Sequence, residues 1–258
     1  MSKRIFQLLL VACLVAGSLG AANDPFAGKW KLNPSKSKLT DQMKVESVGA
    51  NKYAFDFGGG TETIVADGTD QPGNFGSTLS VTIEGPRQWK GVRKKDGRLL
   101  ISAIWNLSED GNTLRDDFTG YQPNGSTFRL DYVYKRTAGS SGFAGTWESV
   151  SEKVDSVFEL QIKAYDGDGL SFVNPAEGST KNVKFDGKDD PNLGPNVAPG
   201  SVSSGRRVNE RSLEITDKIQ AKVTNTQHVD LSSDLKTLTM TVRPVSQSKP
   251  NILVFDRE

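Results

Sequence analysis

Apolar and polar residues alternate along most of this chain with the two-residue period of half-buried strands. No stretch after the N-terminal leader region holds the three- and four-residue apolar spacing of a helix over ten or more positions. In TFRLDYVYKR (127–136), Phe128, Leu130, Tyr132 and Tyr134 share one face while Arg129, Asp131 and Lys135 share the other. In RLLISAIWNL (98–107), Leu99, Ile101, Ala103, Trp105 and Leu107 share a face. Eight or nine such runs occur in each half of the chain, separated by Asp-Gly, Asn-Gly or Gly-Gly turns, and predict an antiparallel meander. About eight strands with one apolar face each close into a barrel or stack as a sandwich.

The chain repeats itself. FAGKW at 26–30 returns as FAGTW at 143–147, an offset of 117 that also carries Phe55 onto Phe172. ADGTDQPGN at 66–74 answers FDGKDDPNL at 185–193, LSEDGNTL at 107–114 answers LSSDLKTL at 231–238, and VYKR at 133–136 answers VFDR at 254–257. These matches keep their order with small drifts in spacing, as loop insertions between equivalent strands produce. The expected organisation is a signal peptide over 1–22, one β-barrel domain over 24–137, a flexible linker at Ala138–Gly142 and a second β-barrel domain over 143–258.

Arg136 and Arg257 close their copies, and each keeps the parity of an apolar face: Arg136 follows Tyr132 and Tyr134, and Arg257 follows Leu253 and Phe255. A sheltered guanidinium needs a partner, and the obvious one is the repeat-opening Trp30 or Trp147, if first and last strands pair. Gly28-x-Trp30 and Gly145-x-Trp147 at a first strand, with Arg136 and Arg257 at a last one, resemble the lipocalin or calycin signature. The ordered set, with its D-G-x-D-x-P turn and L-S-x-D-x-x-T-L hairpin, is similar to bacterial secreted lipocalin-like proteins over roughly residues 24–258. The resemblance implies two tandem up-and-down barrels of about eight strands each, plugged at one end by tryptophan–arginine pairs. The copies are shorter than typical lipocalins, show no C-terminal helix signal and cannot form the lipocalin disulfide.

The N-terminus and the charge narrow the setting. Lys3 and Arg4 precede the apolar run IFQLLLVACLVA and the small residues GSLGAA, the pattern of a secretory signal peptide cleaved after Ala22. A competing reading takes Cys13 as a lipidated terminus, but the residues after it stay apolar instead of forming a polar tether. No other stretch approaches the roughly 20 apolar residues of a membrane-spanning helix. Cleavage removes the only cysteine, and it leaves 30 basic against 31 acidic residues. An exported periplasmic or extracellular protein without disulfides, and with no electrostatic footprint for nucleic acid, is expected.

Little in the sequence points to chemistry. His228 is the only histidine, which excludes a histidine-based zinc site and leaves Ser-His hydrolysis a single base, read instead as a strand-end histidine beside a hairpin. No Gly-x-Ser-x-Gly elbow, phosphate loop or dinucleotide fingerprint occurs, and Gly58-Gly59-Gly60 reads as a hairpin turn. Asp67, Asp70, Asp186, Asp189 and Asp190 sit in Asp-Gly turns, where backbone capping already accounts for them without calcium. No cofactor or metal is expected.

What remains is shape. After the leader the first copy holds 13 aromatic residues and the second 7, and Trp89 and Trp105 answer Leu213 and Val229. The expected function is that of a non-enzymatic carrier of a small apolar ligand, held in the first barrel by Phe55, Trp89, Trp105, Phe128 and Tyr132. Filled barrels serving as an envelope interaction module are the alternative, and a carboxylate- or metal-dependent enzyme is a distant third. The long Gly, Pro and Ser-rich connection at 186–205 fits a barrel mouth.

Overall fold

The computed structural model describes residues 24–155 and 158–258; the leader and Cys13 lie outside them. Ten strands precede the second FAGxW: β1 (Gly28–Leu32), β2 (Gln42–Gly49), β3 (Lys52–Asp56), β4 (Thr61–Val65), β5 (Gln71–Pro72), β6 (Thr78–Gly85), β7 (Gln88–Lys95), β8 (Arg98–Leu107), β9 (Thr113–Tyr121) and β10 (Thr127–Ser141). Ten follow: β11 (Ala144–Asp155), β12 (Glu159–Tyr165), β13 (Gly169–Asn174), β14 (Ser179–Val183), β15 (Asp190–Pro191), β16 (Ser201–Asn209), β17 (Ser212–Ile219), β18 (Lys222–Leu231), β19 (Thr237–Pro244) and β20 (Asn251–Arg257). The period-2 expectation holds along them: Ala103, Trp105 and Leu107 of β8 are buried while Ile104 between them is exposed.

The strands form two antiparallel, nearly closed ten-stranded barrels. Ten strands replace the expected eight, because the D-G-x-D-x-P segments contribute the two-residue strands β5 and β15 and each copy divides more finely than its apolar runs suggest. Barrel one runs β4-β3-β2-β11-β10-β9-β8-β7-β6-β5, and barrel two runs β14-β13-β12-β1-β20-β19-β18-β17-β16-β15.

The two copies exchange their opening strands. β1 lies between β12 and β20 of the second copy, with Trp30 opposite Leu160 and Arg257. Reciprocally, β11 lies between β2 and β10 of the first copy, with Trp147 opposite Met43 and Arg136. Barrel one is therefore the continuous run from β2 to β11, residues 42–155, while barrel two joins β1 to β12–β20 on either side of it, which corrects the boundaries 24–137 and 143–258. Ala138–Gly142 is likewise no linker. Residues up to Ser141 belong to β10, and Ser141 pairs with Ala144 across a tight hairpin. Gly139, at φ 86°, permits the close approach, since a Cβ there would stand 2.8 Å from the Cα of Gly145. A hairpin this short returns the chain antiparallel to β10, so FAGTW occupies the place of barrel one's opening strand. FAGKW is left to fill the equivalent place in barrel two, an exchange of near-identical elements that keeps the strand pairing and the tryptophan–arginine contact in both barrels.

Each barrel is plugged at one end by the residues of its FAGxW segment. The indole N–H of Trp30 donates to the Phe26 carbonyl at 2.9 Å, and that of Trp147 donates to the Phe143 carbonyl at 2.9 Å. The Arg257 guanidinium carbon lies 4.1 Å from the Trp30 ring centroid, and that of Arg136 lies 4.2 Å from the Trp147 centroid. Both arginines donate to backbone carbonyls, Arg257 to Ala27 and Leu235 and Arg136 to Gly111 and Ala144. The glycine of the motif leaves room for them: a Cβ at Gly28 would sit 2.8 Å from Arg257 Nη1, and one at Gly145 would sit 2.6 Å from Arg136 Nη1.

The edge strands meet at a seam. In barrel one the Gln71 side chain acts as a short strand, accepting from the Val65 N–H at 2.9 Å and donating to its carbonyl at 2.6 Å. In barrel two Asp190 accepts from the Lys184 N–H, and Thr180 pairs with Leu193. An ion pair crosses each seam at equivalent positions with opposite polarity. Arg93 grips Glu62 through both guanidinium nitrogens at 2.8 and 2.6 Å in barrel one, while Lys181 meets Asp217 at 2.6 Å in barrel two.

The unplugged ends of the two barrels face each other. The segment from 33 to 41 crosses from one to the other, pairing with β20 through Lys38 and Ile252 before Asp41 meets Ser149 of β11. The connection after β15 reaches back, and Asn196 accepts a hydrogen bond from Arg98 of barrel one. No helix among the described residues is long and apolar enough to cross a membrane.

Candidate ligand-binding cavities

Both barrels enclose space behind their plugs. Barrel one holds a cavity of about 250 Å³, lined chiefly by Met43, Phe57, Leu79, Trp105, Phe118 and Tyr132 together with Asp41 and Asp116. Barrel two holds one of about 450 Å³, lined by apolar residues such as Phe158, Phe172 and Met240 and by the amides of Asn174, Asn192 and Gln227. A third recess of about 260 Å³ lies between the mouths, where Phe57, Phe75 and Arg93 of barrel one face Asn196 and Ala198 of barrel two. The 186–205 connection thus contributes to the larger cavity and to the recess at the other barrel's mouth. Engineered cavities of about 150 Å³ already admit a benzene-sized molecule, so each chamber is large enough for a small ligand.

The five residues expected to bind a ligand in the first copy divide into two groups. Trp105 and Tyr132 line the barrel-one cavity. Phe55 and Trp89 are buried deeper, in an aromatic cluster against the plug: Trp89 stacks on Phe143 at 4.2 Å between centroids, and Phe55 lies 6.0 Å from Trp105. Phe128 is directed elsewhere, over Gly120, where an added Cβ would stand 2.2 Å from its ring. The Trp105 indole has room for the same kind of reason, since a Cβ at Gly91 would lie 2.8 Å from it. In barrel two Ile215 and Val229 take these two positions, large residue and small one exchanged.

Four polar residues complete the barrel-one site. Asp116 keeps the inward parity of Leu114 and Phe118 on β9, so this break in the apolar pattern was legible in TLRDDFTGY. It is only 7% exposed, and its Oδ1 has no hydrogen-bond partner; neither does the indole N–H of Trp105, its cross-strand neighbour. Burial pushes the Asp116 carboxyl up to about 7; the Trp105 indole N–H opposes the shift by hydrogen bonding toward the carboxyl, in a contact too poorly aligned to satisfy either group, and Asp41, Asp117 and Asp131 add to the shift. Asp41 reaches the same cavity from the crossover, which no local pattern announces. Its Oδ2 accepts from the Tyr134 hydroxyl at 2.5 Å and its Oδ1 accepts from Gln247 Nε2 at 3.2 Å. Burial raises the Asp41 carboxyl against the lowering effect of the Tyr134 hydrogen bond. Arg93 is the one cation lining the cavity and is occupied by Glu62 and by Ser77 Oγ. Burial acts to raise the Glu62 carboxyl, but Arg93 and the Asn74 N–H outweigh it and hold Glu62 below the usual carboxylate range.

Barrel two replaces this pair of acids: its cavity is lined by one carboxyl, Glu177, and by the Lys181 ammonium. Phe158, Met240, Leu253 and Phe255 occupy the positions of Asp41, Asp116, Tyr132 and Tyr134. Its two buried carboxylates are engaged: Asp217 by Lys181, by Ser203 Oγ at 2.6 Å and by Gln227 Nε2 at 2.6 Å, and Asp190 by the Lys184 N–H.

His228 sits on the outer face of β18. Ser212 Oγ lies 3.1 Å from its Nε2 but donates to Asp230 Oδ1 at 2.6 Å, and Glu214 is 3.8 Å from Nδ1. None of the three cavities reaches this cluster, which has the connectivity of a surface hydrogen-bond network. The Asp-Gly turns are capped as expected: Asp67 accepts from the Thr69 N–H at 2.9 Å and Asp186 from the Lys188 N–H at 3.0 Å. Among the described residues, no group of three or more histidines, cysteines and carboxylates is placed to hold a metal ion.

Searches against family models, curated proteins and solved structures return no match to this chain.

Proposed function

We propose that the protein is an exported, non-enzymatic, lipocalin-like binding protein for small, mainly apolar ligands, with the barrel-one cavity as its primary site. One observation carries this reading: a buried, aromatic-lined chamber contains an acceptor, Asp116 Oδ1, and a donor, Trp105 Nε1, that lie near each other yet make no well-formed hydrogen bond with any protein group. Buried polar groups in folded proteins are nearly always hydrogen-bonded, so an unmatched pair facing an apolar cavity fits a ligand with a polar handle. The two chambers weigh against barrels filled by their own side chains. The tryptophan–arginine plugs and the duplicated motif set are in keeping with the lipocalin resemblance, and the signal-like leader is in keeping with export.

Native mass spectrometry of the protein purified from its export compartment tests the reading, together with titration of lipophilic ligands against tryptophan fluorescence. A solvent-extractable extra mass and quenching that disappears in Trp105→Phe are expected. Repeated bare masses with no quenching by any lipophilic ligand would overturn it and favour filled interaction modules.

A further inference from the structure

We infer that the barrel-one cavity takes a small arylalkyl amine, its ammonium group paired with Asp116 and its apolar body lying against Trp105, Phe57 and Tyr132. The inference rests on the reading of barrel one as a ligand site and specifies the class of ligand.

The charge inventory of the chamber is lopsided. Two carboxyl groups line it, and its one cation, Arg93, is held by Glu62 through both terminal nitrogens. The oxygens of Asp41 are already occupied by Tyr134 and Gln247, so the free acceptor capacity belongs to Asp116. A carboxyl buried beside a second carboxyl with no counter-charge is costly, and the fold does not require it, because barrel two builds the same layer from Phe158 and Met240. An anionic ligand would meet both carboxyls. A neutral acceptor would leave the clustered acidity uncompensated. An ammonium group brings the missing positive charge and three donors, and the faces of Trp105, Phe57 and Tyr132 attract a cation as well as an apolar ring.

The assignment predicts a direction with pH. Asp116, which burial holds protonated up to about 7, must ionise to pair with the amine. Asp41, raised from its usual value by burial, shares the cavity and acts in the same sense. The other titratable groups facing Asp116 are the Arg93–Glu62 pair and the phenols of Tyr132 and Tyr134, both raised above their usual value by burial and charged in neither state of the test. Asp117 and Asp131, on the neighbouring strand positions, add to its acidity penalty.

The test is calorimetric titration of the mature full-length protein with 2-phenylethylamine and with 2-phenylethanol, its neutral counterpart, at about pH 5.5 and about pH 8.5. The amine, with an ammonium pKa near 10, stays charged at both values. The expected result is amine affinity at least about tenfold higher at the upper pH, and about tenfold above the alcohol there. Asp116→Asn is expected to abolish both differences while retaining alcohol binding. Equal or tighter binding of the alcohol, or amine affinity that falls as pH rises, would overturn the amine assignment and leave a cavity for neutral ligands. Failure of both compounds and of a lipophilic dye to bind would instead remove the ligand-site reading itself. The wild-type comparison decides the matter even if Asp116→Asn does not fold.

Discussion

Arg257 stacks on Trp30, 4.1 Å from guanidinium carbon to ring centroid, although the two residues stand at opposite ends of the described chain. The same contact joins Arg136 to Trp147, so the last strand of each copy is locked to the opening strand of the other. Barrel one is complete within residues 42–155, whereas barrel two closes only when β1 joins strands from the far end of the chain, and the open ends that lead to their cavities are brought together by the two crossing segments.

The exchange can be read by crosslinking. Lys44 and Thr146 are register partners across β2 and β11, whereas an unexchanged chain would put Lys29 beside Lys44. With Cys13, the one native cysteine, replaced by serine, Lys44→Cys with Thr146→Cys is expected to form an intramolecular disulfide or accept a short thiol crosslinker, and Lys44→Cys with Lys29→Cys is not. Mass mapping that showed the reverse would restore one barrel per copy.

Trp30 and Trp147 are both fully buried. Replacing either by alanine removes a large core side chain, its hydrogen bond to the backbone and the arginine stack, and each change is expected to lower stability by about 3–5 kcal/mol. Urea denaturation followed by near-ultraviolet circular dichroism measures this. Because of the exchange, Trp147→Ala should loosen the barrel built from the first copy and weaken ligand quenching of Trp105, while Trp30→Ala should leave that signal intact.

The seam ion pairs offer a test by reversal. Glu62 is 4% exposed, and Glu62→Lys alone places two cations together in barrel one, at an expected cost of about 3–5 kcal/mol. Adding Arg93→Asp recreates the polarity of Lys181 and Asp217. The double variant is expected to recover at least half of the lost stability in denaturant melts, with full recovery limited by the Asn74 N–H that Glu62 accepts. No recovery would mean that the two seams are not equivalent.

Asp116 sets the sign of a pH profile. In the unfolded chain its carboxyl ionises near 3.8, whereas in the fold it holds its proton up to about 7. Unfolding therefore releases a proton between those values, and ligand-free stability is expected to fall as pH rises through this window and to level off above it. The loss is on the order of 4 kcal/mol. Asp41, shifted in the same direction, contributes to the same slope. Glu62, held low by Arg93, titrates below its usual value and affects the acid side only. Asp116→Asn should flatten the profile and raise stability near pH 8.5; unchanged curves at pH 4.5 and 8.5 would refute the perturbed carboxyl.

Much of the architecture is written locally, and the reason is the length scale of the interactions. Period-2 alternation, Asp-Gly and Asn-Gly turns and the Ser-x-Asp capping of LSEDGNTL and LSSDLKTL act within a few residues, so the strands, the hairpins and the duplication can be read directly from the chain. The inward parity of Arg136 and Arg257 likewise announces a tryptophan partner. The choice of partner is not local. FAGKW and FAGTW suit either barrel, and the decision falls to the two-residue turn after Ser141, which sends β11 back along β10. A Gly- and Ser-rich stretch reads as a linker, yet here its glycine serves the close approach of Gly139 to Gly145. The binding residues divide the same way. Aromatic content locates the richer barrel, but whether an inward aromatic packs against the plug, as Trp89 does, or borders open space, as Trp105 does, depends on its height along the barrel and on the glycine opposite. Asp41 enters the cavity only because the crossing segment passes between the barrels. Sequence alone determined the elements and their repeat; the tertiary structure decided which copy completes which barrel and where the space remains, because those outcomes depend on contacts between residues far apart in the chain.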